Sequence, residues 1–181
     1  AIVNEFTEKY IEATQRLKVD HPLVKDSDVG PMISASEVKR VHDWVREAVN
    51  DGATLLTGGQ PVNERIFPPT ILTNVKPDMK VSCEEVFAPV VVLESFESFE
   101  DAVTKADKSD FGLQAGVFTN DLANAFHAIR HINVGGVMVN DVPTFRVDQM
   151  PYGGTKDSGI GREGVSFAIT EMTEIKMVVI N

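Results

Sequence analysis

Cys83 is the single cysteine of this chain and so its one thiol nucleophile. It stands in Val81-Ser82-Cys83-Glu84-Glu85. A cysteine attacks as its thiolate, and two neighbouring carboxylates favour the thiol, so Cys83 reads as a poor nucleophile. His127 and His131 are four residues apart on a helical pattern. No carboxylate or cysteine completes a ligand set around them, so they read as a solvated face and no metal is expected. Gly159-Ile160-Gly161-Arg162-Glu163-Gly164 satisfies the dinucleotide fingerprint G-x-G-x-x-G literally. The residues before it form a polar loop rather than a strand, and too little chain follows to complete a βαβ unit, so the glycines are better explained by tight turns. A phosphate loop fails too, because Lys156 is followed by Asp157. Glu85 and Phe87, just before an apolar run, read by residue type alone as a solvated acid and a core aromatic.

Positioning any such group requires a folded domain, and the composition permits one. The chain has 181 residues, 43% hydrophobic and 24% charged, enough for a core in a single domain. The formal net charge of -10 argues against a sequence-independent grip on nucleic acid or anionic lipid. One cysteine excludes an internal disulfide and fits a reducing compartment. No apolar run approaches the roughly 20 residues that span a bilayer, so a soluble, cytoplasmic protein with no membrane partner is expected. Ala1-Ile2-Val3-Asn4 leads directly into a helical pattern with no initiator methionine, which reads as a cut end.

Apolar residues at Val3, Phe6, Tyr10, Ala13 and Leu17, and again at Val38, Val41, Val45 and Val49, follow helical spacing. The second helix opens on Ser34-x-x-Glu37, a capping box, and closes at Gly52. Strands are expected at 53–57 and 70–75. From Pro89 the pattern runs β-α-β-α-β: strand to Phe96, helix 98–108, strand 114–119, helix 121–132, strand 137–140. Helical crossovers between short apolar strands predict an α/β fold with a mostly parallel sheet. The glycine- and proline-rich stretch Asp141 to Gly161 has no periodicity, and a structureless loop of that length is usually functional. A helix near 163–172 and a strand over 174–180 finish the chain.

Three landmarks occur together and in order: Glu85-Val86-Phe87-Ala88-Pro89, then Asp110-Phe111-Gly112-Leu113 leading into a strand, then Pro151-Tyr152-Gly153-Gly154-Thr155-Lys156-Asp157-Ser158-Gly159. In order and rough spacing they resemble the C-terminal catalytic half of the NAD(P)-dependent aldehyde dehydrogenases, in the neighbourhood of the lactaldehyde, non-phosphorylating glyceraldehyde-3-phosphate and semialdehyde dehydrogenases. The similarity runs from Phe6 through Asp28-Val29-Gly30-Pro31 to the last residues.

The resemblance implies an enzyme that oxidises an aldehyde to a carboxylic acid with NAD or NADP, through a cysteine thiohemiacetal and thioester. It implies that Glu85 accepts hydrogen bonds from the nicotinamide ribose and that Phe87 supports the nicotinamide ring. Ala88 stands where the family usually has glycine, which makes the backbone there less free. Asn140, Phe145, Arg146 and Tyr152 match the substrate-side wall, where aromatics exclude water from a reactive thioester. Some relatives that take phosphorylated or carboxylated aldehydes carry an arginine near position 146, and a guanidinium binds such oxygens two at a time. The plainer alternatives are that the aromatics staple the loop to the core and that Arg146 pairs with Asp148. The family's nucleophilic cysteine, general base and cofactor-binding domain precede the region matched here, so no catalytic residue is expected in this fragment and it should be inactive alone. Residues 1–172 are then part of the catalytic domain and 173–181 a C-terminal strand for subunit assembly into a homodimer or homotetramer. A reading of a different class is a folded oligomerisation module with no chemistry of its own.

Overall fold

The computed structural model describes residues 2–181 and separates into two compact units, Ala1–Ser95 and Phe96–Asn181. Ala1, the first residue of the expected cut end, lies outside the described residues.

The first unit contains α1 (Val3–Gln15), α2 (Ala35–Asn50), β1 (Thr54–Thr57), β2 (Thr70–Thr73), α3 (Lys80–Cys83) and β3 (Val90–Leu93). α2 starts as its capping residue dictates, with the Ser34 hydroxyl accepting from the Glu37 N–H at 3.2 Å. It stops where Gly52 takes φ +107°, a conformation that costs glycine little. Between these ends Val38, Val41, Val45 and Ala48 fall on one stripe and are buried. They pack with Met32, Phe67, Leu72, Met79 and Val81 into the unit's core. Removing a leucine-sized side chain from such a core typically costs about 2–5 kcal/mol. β2 is the central strand, antiparallel to β1 and parallel to β3, with Thr70 opposite Val90 and Thr73 opposite Leu93. Thr70 is a buried polar residue in this sheet, and its hydroxyl is satisfied by the Gly59 N–H at 2.8 Å and the Pro68 carbonyl at 2.9 Å. By contrast α1, whose apolar spacing is as regular as that of α2, buries none of its residues.

The second unit contains α4 (Phe99–Asp107), β4 (Phe111–Gly112), β5 (Gln114–Val117), α5 (Leu122–His131), β6 (Gly136–Val139), β7 (Thr155–Lys156) and α6 (Val165–Met172). Both α4 and α5 are capped by side chains, Ser98 accepting from the Asp101 N–H and Asp121 from the Ala123 N–H. The crossover through α5 brings β5 and β6 together in parallel, and Val103, Val117, Ala128 and Ile132 form the core beneath them. β4 and β7 make a second, antiparallel pair, Phe111 opposite Lys156. The α/β class is as expected, but among the described residues the pairing is not mostly parallel: β2–β3 and β5–β6 are parallel, β1–β2 and β4–β7 antiparallel, and each parallel pair is closed by a segment containing a helix. Residues 173–181, expected to contain a strand, form no ladder within this chain.

Candidate functional site

Glu85 and Phe87 lie on the short turn from α3 into β3. The turn is held from beneath, since Val86 and Ala88 pack against the core while Glu85 and Phe87 face outward. The Glu85 carboxylate is exposed and has no hydrogen bond or ion pair among the described residues. Phe87 is 77% exposed, so it is not the core aromatic that residue type alone suggested. Its backbone has φ +48°, a left-handed conformation that a bulky residue adopts at a cost of about 1–3 kcal/mol. The positive φ falls on Phe87 and not on Ala88, so the missing glycine at 88 deprives the turn of nothing it uses. Arg40 reaches across from α2 and donates from Nη2 to the Val86 carbonyl at 2.7 Å. Pro31, Met32, Arg40, Phe87 and Pro89 border a groove of about 610 Å³.

The second unit carries the expected substrate-side residues. Asn140, φ +59°, closes β6: its N–H donates to the Val117 carbonyl at 2.7 Å and its side-chain oxygen accepts from the Thr119 N–H at 2.8 Å. Its side-chain nitrogen, without a partner among the described residues, is the donor that remains. Arg146 and Tyr152 are brought together, with the guanidinium 4.4 Å above the ring centroid. Arg146 also pairs with Glu163, Nη2 to Oε2 at 2.9 Å, and not with Asp148. Glu163 is held there because its backbone pairs both ways with Tyr152, at 2.6 and 3.1 Å. Phe145, half exposed, borders the same loop, and its carbonyl accepts weakly from Gln114 Nε2 at 3.5 Å.

Sequence reasoning missed Arg40 and Glu163, whose partners are 46 and 17 residues away. It also missed two cations that brace the loop. Lys156 donates to the carbonyls of Asp107 and Ser109 and to the Asp107 carboxylate, at 2.6 to 3.0 Å. Arg162 donates to the carbonyls of Gly154 and Gly161. The Asn133 N–H first, and Lys156 second, hold the Asp107 carboxyl below the usual aspartate range. Glycine does the rest: Gly159, Gly161 and Gly164 all have positive φ, and a Cβ on Gly164 would sit 2.8 Å from the Met150 carbonyl. The G-x-G-x-x-G string is therefore a set of turns, as expected.

Cys83 is exposed, its sulfur 3.6 Å from the Asp78 carbonyl. The rings of His127 and His131 stack at 4.2 Å. No group of three or more His, Cys, Asp or Glu side chains that could hold a metal ion exists among the described residues. None of the described helices is long and apolar enough to cross a membrane.

The fold places the chain in the α/β class, and the exposed, strained Phe87 beside the unpartnered Glu85 carboxylate marks its candidate site. Comparison with known proteins narrows the class: the profile of the aldehyde dehydrogenase family matches residues 1–178, and the chain belongs to that family. The 3-sulfolactaldehyde dehydrogenase of Priestia megaterium is 48% identical over 180 residues, 99% of this chain and 38% of the relative. Aldehyde dehydrogenase 21 from Physcomitrella patens, solved with its reaction product succinate, superposes with a TM-score of 0.93 at 44% identity, over 96% of this chain and 36% of that one. A glyceraldehyde-3-phosphate dehydrogenase from Methanocaldococcus jannaschii, complexed with NADP, gives 0.89 at 38% identity, over 97% and 38%. The chain thus spans well under half the length of the relatives it matches.

Proposed function

We propose that this chain is the C-terminal part of an NAD- or NADP-dependent aldehyde dehydrogenase, and that its own residues supply the cofactor-side acid and aromatic and one wall of the substrate pocket. The observation that carries the reading is the family match over residues 1–178, which includes the turn of Glu85 and Phe87. The fit of that turn to a nicotinamide nucleoside is chemical. An unpartnered carboxylate can accept from two ribose hydroxyls, and an exposed aromatic face can support a flat heterocycle. When bound, the cofactor accepts the hydride. The chain's task is orientation, because hydride transfer depends steeply on the placement of the reacting atoms. Attack by the cysteine thiolate, to a thiohemiacetal and then a thioester, belongs to residues outside this chain, so the isolated fragment is inactive.

For the substrate we propose a small aldehyde with an anionic or hydroxyl group. Arg146, its planar fork steadied by Tyr152 and Glu163, offers donors suited to a carboxylate, sulfonate or phosphate. The names of the relatives, a sulfolactaldehyde enzyme and one solved with succinate, support the same class. Assembly into a homodimer or homotetramer is proposed for the terminal segment, where Ile175, Met177, Val178, Val179 and Ile180 are all exposed.

The test of the cofactor role is Glu85→Gln in the full-length enzyme, which keeps the shape and removes the charge. Stopped-flow formation of reduced nicotinamide should slow, or cofactor affinity weaken, by the equivalent of roughly 1.5–3 kcal/mol, as for a charged hydrogen bond. An unchanged rate and affinity would make Glu85 a solvated surface charge.

A further inference from the structure

The turn that carries Glu85 and Phe87 has few ties of its own. Its local hydrogen bonds are the Glu84 N–H to the Lys80 carbonyl and the Val90 N–H to the Ala88 carbonyl. Neither lies between Glu85 and Phe87, where the backbone departs from its preferred conformation. A left-handed phenylalanine persists only when its surroundings over-determine it. Among the described residues, one side chain from elsewhere in the sequence donates into that interval: Arg40, to the Val86 carbonyl.

Arg40 is itself fixed from three directions. Glu37, one turn earlier on α2, accepts from Nε at 2.8 Å and from Nη2 at 2.6 Å. The ring of Trp44, one turn later, lies under the guanidinium, 4.3 Å from its carbon to the ring centroid. The third contact is the Val86 carbonyl. A surface ion pair along a helix would need only the first of these. A guanidinium suits all three at once, because its planar fork can stack on indole while donating from different nitrogens in fixed directions. Helix α2 is in turn anchored by its buried stripe and by the Ser34 cap. A rigid line therefore runs from the core through α2 and Arg40 to the peptide between Glu85 and Phe87.

We propose that Arg40 is a positioning residue for hydride transfer: by holding the Val86 carbonyl it sets the directions in which Glu85 and Phe87 meet the nicotinamide nucleoside. The proposal rests on the reading of Glu85 and Phe87 as cofactor-side residues. Arg40 does not touch the reacting atoms; it acts through the backbone, and its loss misaligns the cofactor more than it weakens binding.

The experiment uses the full-length enzyme with Arg40→Met, which keeps an aliphatic side chain over Trp44 but removes the donors. Arg40→Gln, too short to reach the Val86 oxygen, repeats the test should methionine unfold the protein. Arg40→Lys restores one donor. Single-turnover hydride transfer at saturating cofactor, cofactor affinity and thermal unfolding are measured on each. Methionine or glutamine is expected to slow hydride transfer about tenfold, with cofactor affinity falling less, and lysine to recover most of the rate. A merely structural clamp would lower the unfolding temperature and leave hydride transfer in the folded fraction within about twofold of the unchanged enzyme, and that result overturns the proposal. Lysine as slow as methionine also overturns it. Glu85→Gln run in parallel separates the premises: if it slows the reaction and Arg40→Met does not, only the role of Arg40 fails. If Glu85→Gln changes nothing, the cofactor reading itself fails.

Discussion

The turn at 84–89 and the loop at 141–161 both present exposed aromatic and charged side chains, yet they are secured in different ways. The turn is short, has hydrophobic residues on either side of Phe87 anchored in a core, and tolerates one strained residue held through a single distant guanidinium. The loop has little core beneath it. It is held by Lys156 and Arg162 donating to carbonyls and by close passages at glycines, Gly112 beside Thr155, Gly116 beside Asp141 and Gly135 beside Gly153. A short turn inherits its geometry from the elements at its ends, whereas a long loop must have each bend fixed separately. The loop should accordingly be sensitive to substitution at its bracing residues, and the turn at the helix that holds Arg40.

The largest expected effect is at Gly135, where a Cβ would lie 1.6 Å from the Gly153 carbonyl oxygen, backbone against backbone. Gly135→Ala should push the loop off β6 and cost about 3 kcal/mol, the upper end of overpacking, measured by urea denaturation. A loss below about 1 kcal/mol would show that the loop yields and is not fixed there. Next comes Arg146→Leu in the full-length enzyme. It should lower kcat/KM for an anionic aldehyde roughly tenfold, the equivalent of about 1.4 kcal/mol, and spare a neutral aldehyde of similar size. Partial exposure and the competing Glu163 keep the effect at the low end for a charged contact. Equal losses for both substrates would reduce Arg146 to a loop brace.

On the side of the turn, Ser34→Ala removes the cap of α2 and should cost about 1 kcal/mol in unfolding free energy. The smallest effect lies at the Asp107 end of the loop and is read by pH. Asp107 has its pKa depressed in the folded state, so the stability it contributes is complete above the unfolded value of about 3.9 and is lost as pH falls through the lower folded value. Asp107→Asn should flatten that acid limb of the stability curve. An identical slope in both proteins would assign the acid lability to other carboxylates.

The sequence legible as periodicity was sufficient for α2, α4 and α5. The cap at Ser34 and the stop at Gly52 are local signals read within a turn of chain, and Ser98 and Asp121 cap α4 and α5 in the same way in the structure. The same reasoning found α1 as a helix but not how far its face is covered, and could not settle residues 174–180. Amphipathic spacing states that a face is apolar, while burial depends on what lies opposite, and α1 has no fully buried residue, only Thr7, Tyr10, Ile11 and Thr14 half-buried. At the site, the order of the three landmarks was enough to single out Glu85, Phe87, Asn140, Phe145, Arg146 and Tyr152 by position. Their environments were not legible: Phe87 turned outward, and Arg146 chose Glu163 over the nearer Asp148.

By itself the sequence determined the α/β class, most element boundaries, the turn role of the glycines at 159, 161 and 164, and membership in a family through three ordered motifs. Each rests on chemistry within a few residues, or on a string long enough to be specific. Only the tertiary structure decided that Arg40 holds the Val86 carbonyl, that Lys156 ties the loop to Asp107 and Ser109, and that Glu163 faces Arg146 across Tyr152. Such partners, 17 to 49 residues apart in sequence, are chosen by the closure of the chain within each unit.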